Sequence, residues 1–388
     1  MIIEFVGKFF DNHSLSIINR NLAIRLANID DIELVLTCLD GYDPVHKLDK
    51  KVVKTLKELQ KKESTGDPDI QLRHTYPPVW TWPVNSKTKV IFIQPWEFAK
   101  APFEWQYKFE TFADALIVPS TSVAEVFKLG GLNPDNSFVV PNGYDADIFN
   151  TEESDTKLPT KIDKEKFNFV YVGNPQWRKG LDIMLNAWGK TFKRYDKTSL
   201  IIKDSPRIYG ANNALNETIK IQYKTDCAEI IYIDDDLSDR EMAAIYKASN
   251  SVVHPYRAEG FAMHVQEAMA CGCLPIVPGL GPTNDFIPED VGFKLTTRRT
   301  PIDINDNKYF ATKPGDAMTL MSTHTFANEP DGQSLVDTLK YLYHHHEKDA
   351  YFNKLKETTL NSWETVVEEY VKVFKNVAER KQVNRLRN

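Results

Sequence analysis

Two successive series of short β-branched runs, each run parted from the next by a helix-patterned stretch, constrain this 388-residue chain more than any other feature. The first series is Ile2-Ile3-Glu4-Phe5-Val6, Ile32-Glu33-Leu34-Val35-Leu36, Val90-Ile91-Phe92-Ile93, Ala115-Leu116-Ile117-Val118 and Ser137-Phe138-Val139-Val140. Strands separated by helical segments imply a parallel sheet covered on both faces. From Thr151 to Lys166 the composition turns polar, with Pro159 and no apolar period, which reads as a linker. A second series starts at Phe167-Asn168-Phe169-Val170-Tyr171-Val172 and continues through Ser199 to Ile202, Glu229 to Ile233, Ser251 to Val253 and Leu274 to Val277. The chain is therefore expected to be α/β, with two Rossmann-like, doubly wound domains in tandem. Their expected limits are 1–155 and 156–360. Residues 361–388 supply a helix with Trp363, Val366, Val367, Tyr370, Val371, Phe374 and Val377 on one stripe, expected to pack back toward the first domain. Doubly wound sheets bind ligands beyond the carboxyl ends of their strands, so two facing sheets would share a site.

Composition narrows the function classes. With 42% hydrophobic and 26% charged residues the chain can bury cores, which excludes a disordered protein. A net charge of −6 argues against a general grip on nucleic acid. No apolar run approaches the roughly 20 residues of a membrane span, and the charged N-terminus reads as a first strand, not a signal peptide. Four cysteines make a poor disulfide framework, and Cys271-Gly-Cys273 lacks the second pair of a zinc site. A reduced cytosolic protein is expected, and the sequons at Asn12 and Asn216 carry no weight.

Two segments can carry chemistry. The strand ending at Val172 runs into Gly173-Asn174-Pro175-Gln176-Trp177-Arg178-Lys179-Gly180, and a helix follows with Leu181, Met184, Leu185, Trp188 and Phe192 on its buried face. Two cations in a strand-to-helix loop, where backbone N–H groups and the helix dipole also favour an anion, suit a phosphate clamp; they equally suit a solvated pair at a turn. The second segment runs from His254-Pro255-Tyr256-Arg257-Ala258-Glu259-Gly260-Phe261-Ala262-Met263-His264 to Gly272. Residues 262–270 are helix-forming and Gly272 is a natural stop. Glu259 then precedes the helix and Glu267 lies about two turns inside it. Carboxylates accept paired hydroxyl hydrogen bonds, as a ribose diol and a sugar ring offer. Exposed helix glutamates are the ordinary alternative, but the apolar helix around Glu267 leaves it little open surface.

Here the chain resembles a known family. Glu259 and Glu267, with seven residues between them, reproduce the glutamate pair of retaining glycosyltransferases of the GT-B fold, specifically glycosyltransferase family 4. Glu-Gly-Phe at 259–261, Glu-Ala-Met-Ala-Cys-Gly at 267–272, Lys179-Gly180, Pro141-Asn142-Gly143-Tyr144-Asp145 and the helix from Trp363 look like that family too. Trp177 to Gly180, Ile202-Lys203-Asp204 and His254 to Arg257 are similar to bacterial transferases for surface polysaccharides. The resemblance implies a nucleotide-diphosphate sugar as donor, no metal and no other cofactor. By it Glu267 would hold the ribose, Glu259 the donor sugar and Lys179 the diphosphate. The backbone of Gly260, Phe261, Ala262 and Met263 would cradle phosphate or sugar, beside Gly173 and Asn174 at the strand end. Two positions depart from the family. Asn174 stands where Arg is frequent, so Arg178 or Lys203 would supply the second cation, and Ala262 stands where Gly is common. Glu259, Lys179 and Arg178 are thus the expected catalytic set, acting by stabilising the departing diphosphate.

Other features compete. Asp234-Asp235-Asp236 matches the Asp-x-Asp pattern of metal-dependent glycosyltransferases, but Ser238 to Glu241 is a capping box, which places the acidic run in a loop just ahead of a helix. In the first domain His13, Arg73 and Glu97 are the weak candidates for acceptor contacts. From Lys47 to Glu63 a helix with Leu48, Val52, Leu56 and Leu59 on one face carries seven lysines elsewhere, which suits an anionic membrane surface bearing a lipid-linked acceptor or a plain solvated face. A non-catalytic nucleotide-sugar binding subunit is the alternative function. An NAD-dependent oxidoreductase is disfavoured, because Gly279-Leu280-Gly281-Pro282 lacks the third glycine of the dinucleotide fingerprint.

Overall fold

The computed structural model describes residues 1–206, 216, 218, 220–221, 224–303, 324–345 and 350–380, which divide into two compact units. The tail 381–388 and position 217 of the second sequon lie outside the described residues.

The first unit comprises Met1–Gly143 and the C-terminal segment from Asn361. Strands β1 (Ile2–Gly7), β2 (Glu33–Cys38), β3 (Ile70–His74), β4 (Lys89–Ile93), β5 (Ala115–Val118) and β6 (Ser137–Val139) form one sheet in the order β2-β1-β3-β4-β5-β6. Every pairing is parallel. Helices α1 (Ser14–Leu26), α2 (Lys50–Lys61), α3 (Phe103–Phe112) and α4 (Thr121–Leu129) make the crossovers. The order reverses between β1 and β3, so the loops after those two strands lie at the switch point where such sheets bind ligands. The C-terminal helix, Trp363–Glu379, belongs to this unit, and Glu364 pairs with Arg25 of α1 at 2.7 Å. Its buried stripe takes Val373 in place of the expected Val371, which stays half-buried. A Cβ on Gly143 would sit 2.7 Å from the Trp363 backbone, so the close approach of this helix explains the glycine.

The second unit begins at Tyr144. The division thus precedes the polar segment 151–166, which is fastened to the second unit: Lys247 Nζ donates to Asn150 Oδ1 and the Glu152 carbonyl, and Ile162 is buried in the core. Strands β7 (Phe167–Val172), β8 (Thr198–Lys203), β9 (Glu229–Ile233), β10 (Ser251–Val253), β11 (Leu274–Pro278) and β12 (Phe293–Leu295) are ordered β12-β11-β10-β7-β8-β9, again all parallel. Helix α5 (Leu181–Thr191) covers one face, with Trp188 fully buried against Phe169 and Phe192 and its indole N–H on the Ala228 carbonyl at 3.1 Å. Helices α6 (Asp239–Lys247) and α7 (Met263–Ala270) follow β9 and β10. The capping box at Ser238 and Glu241 forms, with the acidic run in the loop before α6. An antiparallel ribbon, β13 (Thr297–Asp303) with β14 (His324–Pro330), stands outside the main sheet. Among the described residues no helix is long and apolar enough to cross a membrane.

Candidate functional site

In the second unit the strand order reverses between β7 and β10, and both candidate segments leave the carboxyl ends of those strands. After β7 the chain passes Gly173 and makes a 3-10 turn at Trp177–Lys179 before α5. Gly180 ends that turn at φ 75°, and a Cβ there would meet the Pro255 carbonyl oxygen at 1.9 Å. Only glycine allows this approach, which brings the cation loop against the segment after β10. The Arg178 carbonyl locks the two together by accepting from Arg257 N at 2.7 Å and Ala258 N at 3.3 Å.

Arg257 is the mechanical tie. Its buried guanidinium donates both Nη atoms to Asp182 at 2.7 Å, Nη1 to the Trp177 carbonyl at 2.8 Å, and Nε to Glu329 on β14 at 2.6 Å. It also lies 4.6 Å from the Trp177 ring centroid. Burial opposes its charge, but the two carboxylates more than offset that and raise its pKa.

The result is a charged cluster. Glu259, buried, accepts from Lys179 Nζ on Oε1 and from Arg178 Nη1 on Oε2 at 3.4 Å, while His254 Nε2 lies 2.9 Å from Oε1. Burial raises the Glu259 pKa, but Lys179, Arg178 and the His254 hydrogen bond win and hold it well below the usual carboxylate range. Burial pulls His254 down to about 4 against the pull of Glu259, so its ring is neutral at pH 7. His264 stands edge-on to it, ring centroids 4.1 Å apart at 88°.

Ala262 is the N-cap of α7 and adopts the left-handed region, φ 75° and ψ 56°. The expected departure from glycine thus falls on one of the few non-glycine positive-φ positions in the described residues. Phe261 packs on Phe286 with ring centroids at 5.0 Å, Met263 begins the helix half-buried, and Gly260 is buried in the preceding loop. Glu267 is half-buried on α7, where Tyr246 donates to its Oε2 at 3.5 Å.

Lys203, at the end of β8, is buried and donates its Nζ to the Asp204 carbonyl and to Ser205 Oγ at 3.4 Å. Burial lowers its pKa, countered by Asp204 and the run Asp234 to Asp236. Of the two expected second cations it is therefore Arg178 that stands beside Lys179 on Glu259, while the Lys203 ammonium turns onto its own loop. Asn174 is buried next to Gly173, whose N–H donates to the Lys203 carbonyl at 3.0 Å. Gly281 follows β11 at φ 130° with the Tyr256 hydroxyl 2.4 Å from its Cβ position, a packing reason for that glycine.

In the first unit the candidate residues separate. His13 is the N-cap of α1 in the loop after β1, where the Asp40 carboxylate accepts from Phe9 N and Phe10 N at 2.9 and 2.8 Å. Arg73 is buried, its guanidinium occupied by Gln71 and the carbonyls of Val79 and Thr81 at 2.7 and 2.8 Å. Its guanidinium is thus tied to its own strand and to the loop after β3. Glu97 is half-buried in the loop after β4, and burial together with this carboxylate pushes the Tyr76 phenol up. Sequence reasoning missed His74, which is buried with Nδ1 2.6 Å from Asn19 Oδ1. It also gave no role to His254, Arg257 or His264. His254 directly after β10 was visible as a strand-end residue, but the carboxylates that Arg257 ties together lie 72 and 75 positions away and carried no local signal. The lysine-rich helix is α2, shorter than expected: Val53 and Leu56 are its buried residues, Leu48 precedes the N-cap Asp49, and the lysines at 47, 50, 51, 54, 57, 61 and 62 are exposed.

Residues 153–300, which include the whole charged cluster, match the family model for glycosyl transferases group 1. A D-inositol 3-phosphate glycosyltransferase of Corynebacterium aurimucosum is 24% identical over 176 residues, 44% of this chain and 41% of the relative. An MMP alpha-(1->4)-mannosyltransferase of Mycolicibacterium hassiacum is 26% identical over 196 residues, 50% of this chain and 43% of the relative. The chain spans about two fifths of the length of the curated relatives it matches. Among solved structures, Anabaena HepE in complex with UDP-glucose superposes with a TM-score of 0.62 at 15% identity, covering 97% of this chain and 100% of that one. WaaG, a glycosyltransferase involved in lipopolysaccharide biosynthesis, gives 0.60 at 12% identity, covering 96% and 99%. The two parallel six-stranded sheets have the GT-B fold, and it is the second unit that holds the stretch, residues 153–300, similar to glycosyl transferases group 1.

Proposed function

We propose that this chain is a retaining glycosyltransferase that moves a sugar from a nucleotide-diphosphate donor to a hydroxyl acceptor without requiring a metal. The observation that carries the proposal is the cluster of Lys179, Arg178, Glu259 and His254 at the switch point of the second sheet, with α7 and Glu267 following directly. Breaking the anomeric C–O bond leaves a nucleoside diphosphate and builds oxocarbenium character in the sugar. Lys179 and Arg178 would stabilise the charge that develops on the leaving diphosphate, the role a divalent cation plays elsewhere. Glu267 would accept from the ribose diol, Glu259 from a hydroxyl of the donor sugar, and the N–H groups of residues 260–263 would cradle the distal phosphate or the sugar. In the family the chain resembles, the donor's own phosphate oxygen takes the acceptor proton on the same face, which gives retention.

The acceptor is proposed to be a glycan, a lipid-linked sugar or another polyol; inositol 3-phosphate, named for a relative, belongs in the first panel. UDP-glucose is the first donor to try, with uridine diphosphate as the matching leaving-group ligand, because HepE is known in complex with both. The exposed lysines of α2 support a peripheral contact with anionic lipid, and salt-insensitive failure to sediment with anionic liposomes would remove that part. A ligand bound only by the folded state raises the melting temperature, so a panel of nucleotide diphosphates and nucleotide sugars identifies the donor. With it, Glu267→Ala and Lys179→Ala should each cut kcat/KM at least about tenfold. Parent-like binding and turnover by both would refute the roles. The left-handed Ala262 beside the cluster favours one second reading, a non-catalytic nucleotide-sugar binding subunit, which would bind the donor yet show neither transfer nor donor hydrolysis.

A further inference from the structure

Resting on that reading of the site, we infer that Glu259 is a built-in competitor for its two cations: a diphosphate enters by taking the place of the Glu259 carboxylate at Lys179 and Arg178, while His254 keeps the carboxylate in the site.

The carboxylate uses both oxygens. Oε1 receives Lys179 and lies 2.9 Å from His254 Nε2, and Oε2 receives Arg178 at 3.4 Å. A phosphate bound by the same two cations must compete with these contacts, because an ammonium and a guanidinium edge cannot serve both anions at full strength. His254 is placed to hold the displaced group. A carboxylate partner requires the proton on Nε2, so the imidazole donates to Glu259 and leaves Nδ1 as an acceptor; that atom is buried and finds no hydrogen-bond partner among the described residues. The ring cannot swing away. It is fully buried at the end of β10, with the rings of His264, Tyr256 and Tyr171 at 4.1, 5.3 and 6.1 Å. A neutral donor suits this position, because it orients the carboxylate without adding a third cation that would compete for the phosphate. Glu259 freed from the cations, but still held by His254, is an acceptor available to a sugar hydroxyl. His254 is therefore a positioning residue for Glu259.

The test uses inorganic pyrophosphate as probe, with isothermal titration calorimetry of the full chain at pH 7. Glu259→Gln removes one negative charge from between two cations and should bind pyrophosphate about tenfold tighter than the parent, about 1.4 kcal/mol. Lys179→Ala should bind it at least about tenfold weaker. If Lys179→Ala weakens binding while Glu259→Gln leaves it unchanged or weaker, Glu259 only organises the cations and the competition is refuted, with the site reading intact. If Lys179→Ala has no effect, or neither parent nor Glu259→Gln binds measurably, the site reading itself fails. His254→Leu should weaken pyrophosphate binding about threefold by leaving the carboxylate wholly to the cations, and should do so only when Glu259 is present. In the Glu259→Gln background the same change should be silent, a non-additivity that a merely structural histidine would not produce. Should Glu259→Gln fail to fold, Glu259→Asp, whose shorter arm withdraws from Lys179, should tighten binding a few-fold, and no change there overturns the inference.

Discussion

Replacing Arg257 by Met tests whether one guanidinium holds the cation loop in place. Met keeps the apolar stem and removes the fork, so the loss can be built from the contacts of the head group. Two nitrogens meet Asp182 at 2.7 Å and two meet Glu329 at 2.6 and 3.0 Å. The Asp182 side chain is 52% exposed and that of Glu329 26%, so water screens both partners and each pair is worth about 0.2–1 kcal/mol. The Trp177 carbonyl loses a charged donor at 2.8 Å and the Trp177 ring loses its cation, about 1 kcal/mol each. The sum is about 2.5–4 kcal/mol, toward the lower part of the 3–5 kcal/mol or so for breaking a fully buried pair. Arg257→Lys should lose about half of this, since an ammonium keeps the charge but cannot span both carboxylates and the carbonyl. Asp182→Asn should cost less than about 1 kcal/mol, because its partner remains satisfied by Glu329. Urea unfolding followed by tryptophan fluorescence measures all three, and pyrophosphate titration reads the loosened loop as weaker binding. Parent-like stability in Arg257→Lys, or a cost in Asp182→Asn equal to that of Arg257→Met, would refute the argument.

Gly180→Ala combines a left-handed φ with a Cβ 1.9 Å from the Pro255 oxygen, so it should lower stability by on the order of 3 kcal/mol or more; a melting temperature within about 2 °C of the parent would contradict this. Ala262→Gly relieves about 1–2 kcal/mol of backbone strain but gives back a similar amount in unfolded-chain entropy and a buried methyl, so its stability should stay within about 1 kcal/mol of the parent; a larger loss in urea unfolding would mean the methyl packs better than its conformation suggests. Burial, and then the neighbouring His13, pull His74 down to about 3. The unfolded chain takes up that proton below pH ~6.5 while the folded one does not, so this contribution is full above that pH and declines toward pH 3, by at most ~1.4 kcal/mol per unit. His74→Gln should flatten the fall of the urea midpoint between pH 7 and pH 4.5, and equal slopes would exclude His74 as the cause.

Legibility followed the range of the interactions. Strand runs, the capping box at Ser238, the stop at Gly272 and the stripe from Trp363 are patterns written within a few to a dozen or so consecutive residues, so they can be read before any partner is known. The extra ribbon carried no such signal, because its paired strands, Thr297–Asp303 and His324–Pro330, lie 20 residues apart in the sequence. Arg73 carried no local sign of its partners either: it sits near the end of β3, and the carbonyls of Val79 and Thr81 that its guanidinium meets lie in the loop that follows.

Periodicity and glycine placement alone determine that this chain builds two parallel sheets and put Lys179, Glu259 and Glu267 near strand and helix ends. Tertiary structure decided what those groups meet. Glu259 and Lys179 are 80 positions apart, and no local rule sets which cation reaches which carboxylate oxygen. That choice comes from β7 and β10 pairing side by side, and from Gly180 letting Pro255 approach, so that burial forces the charges together where water would otherwise keep them apart.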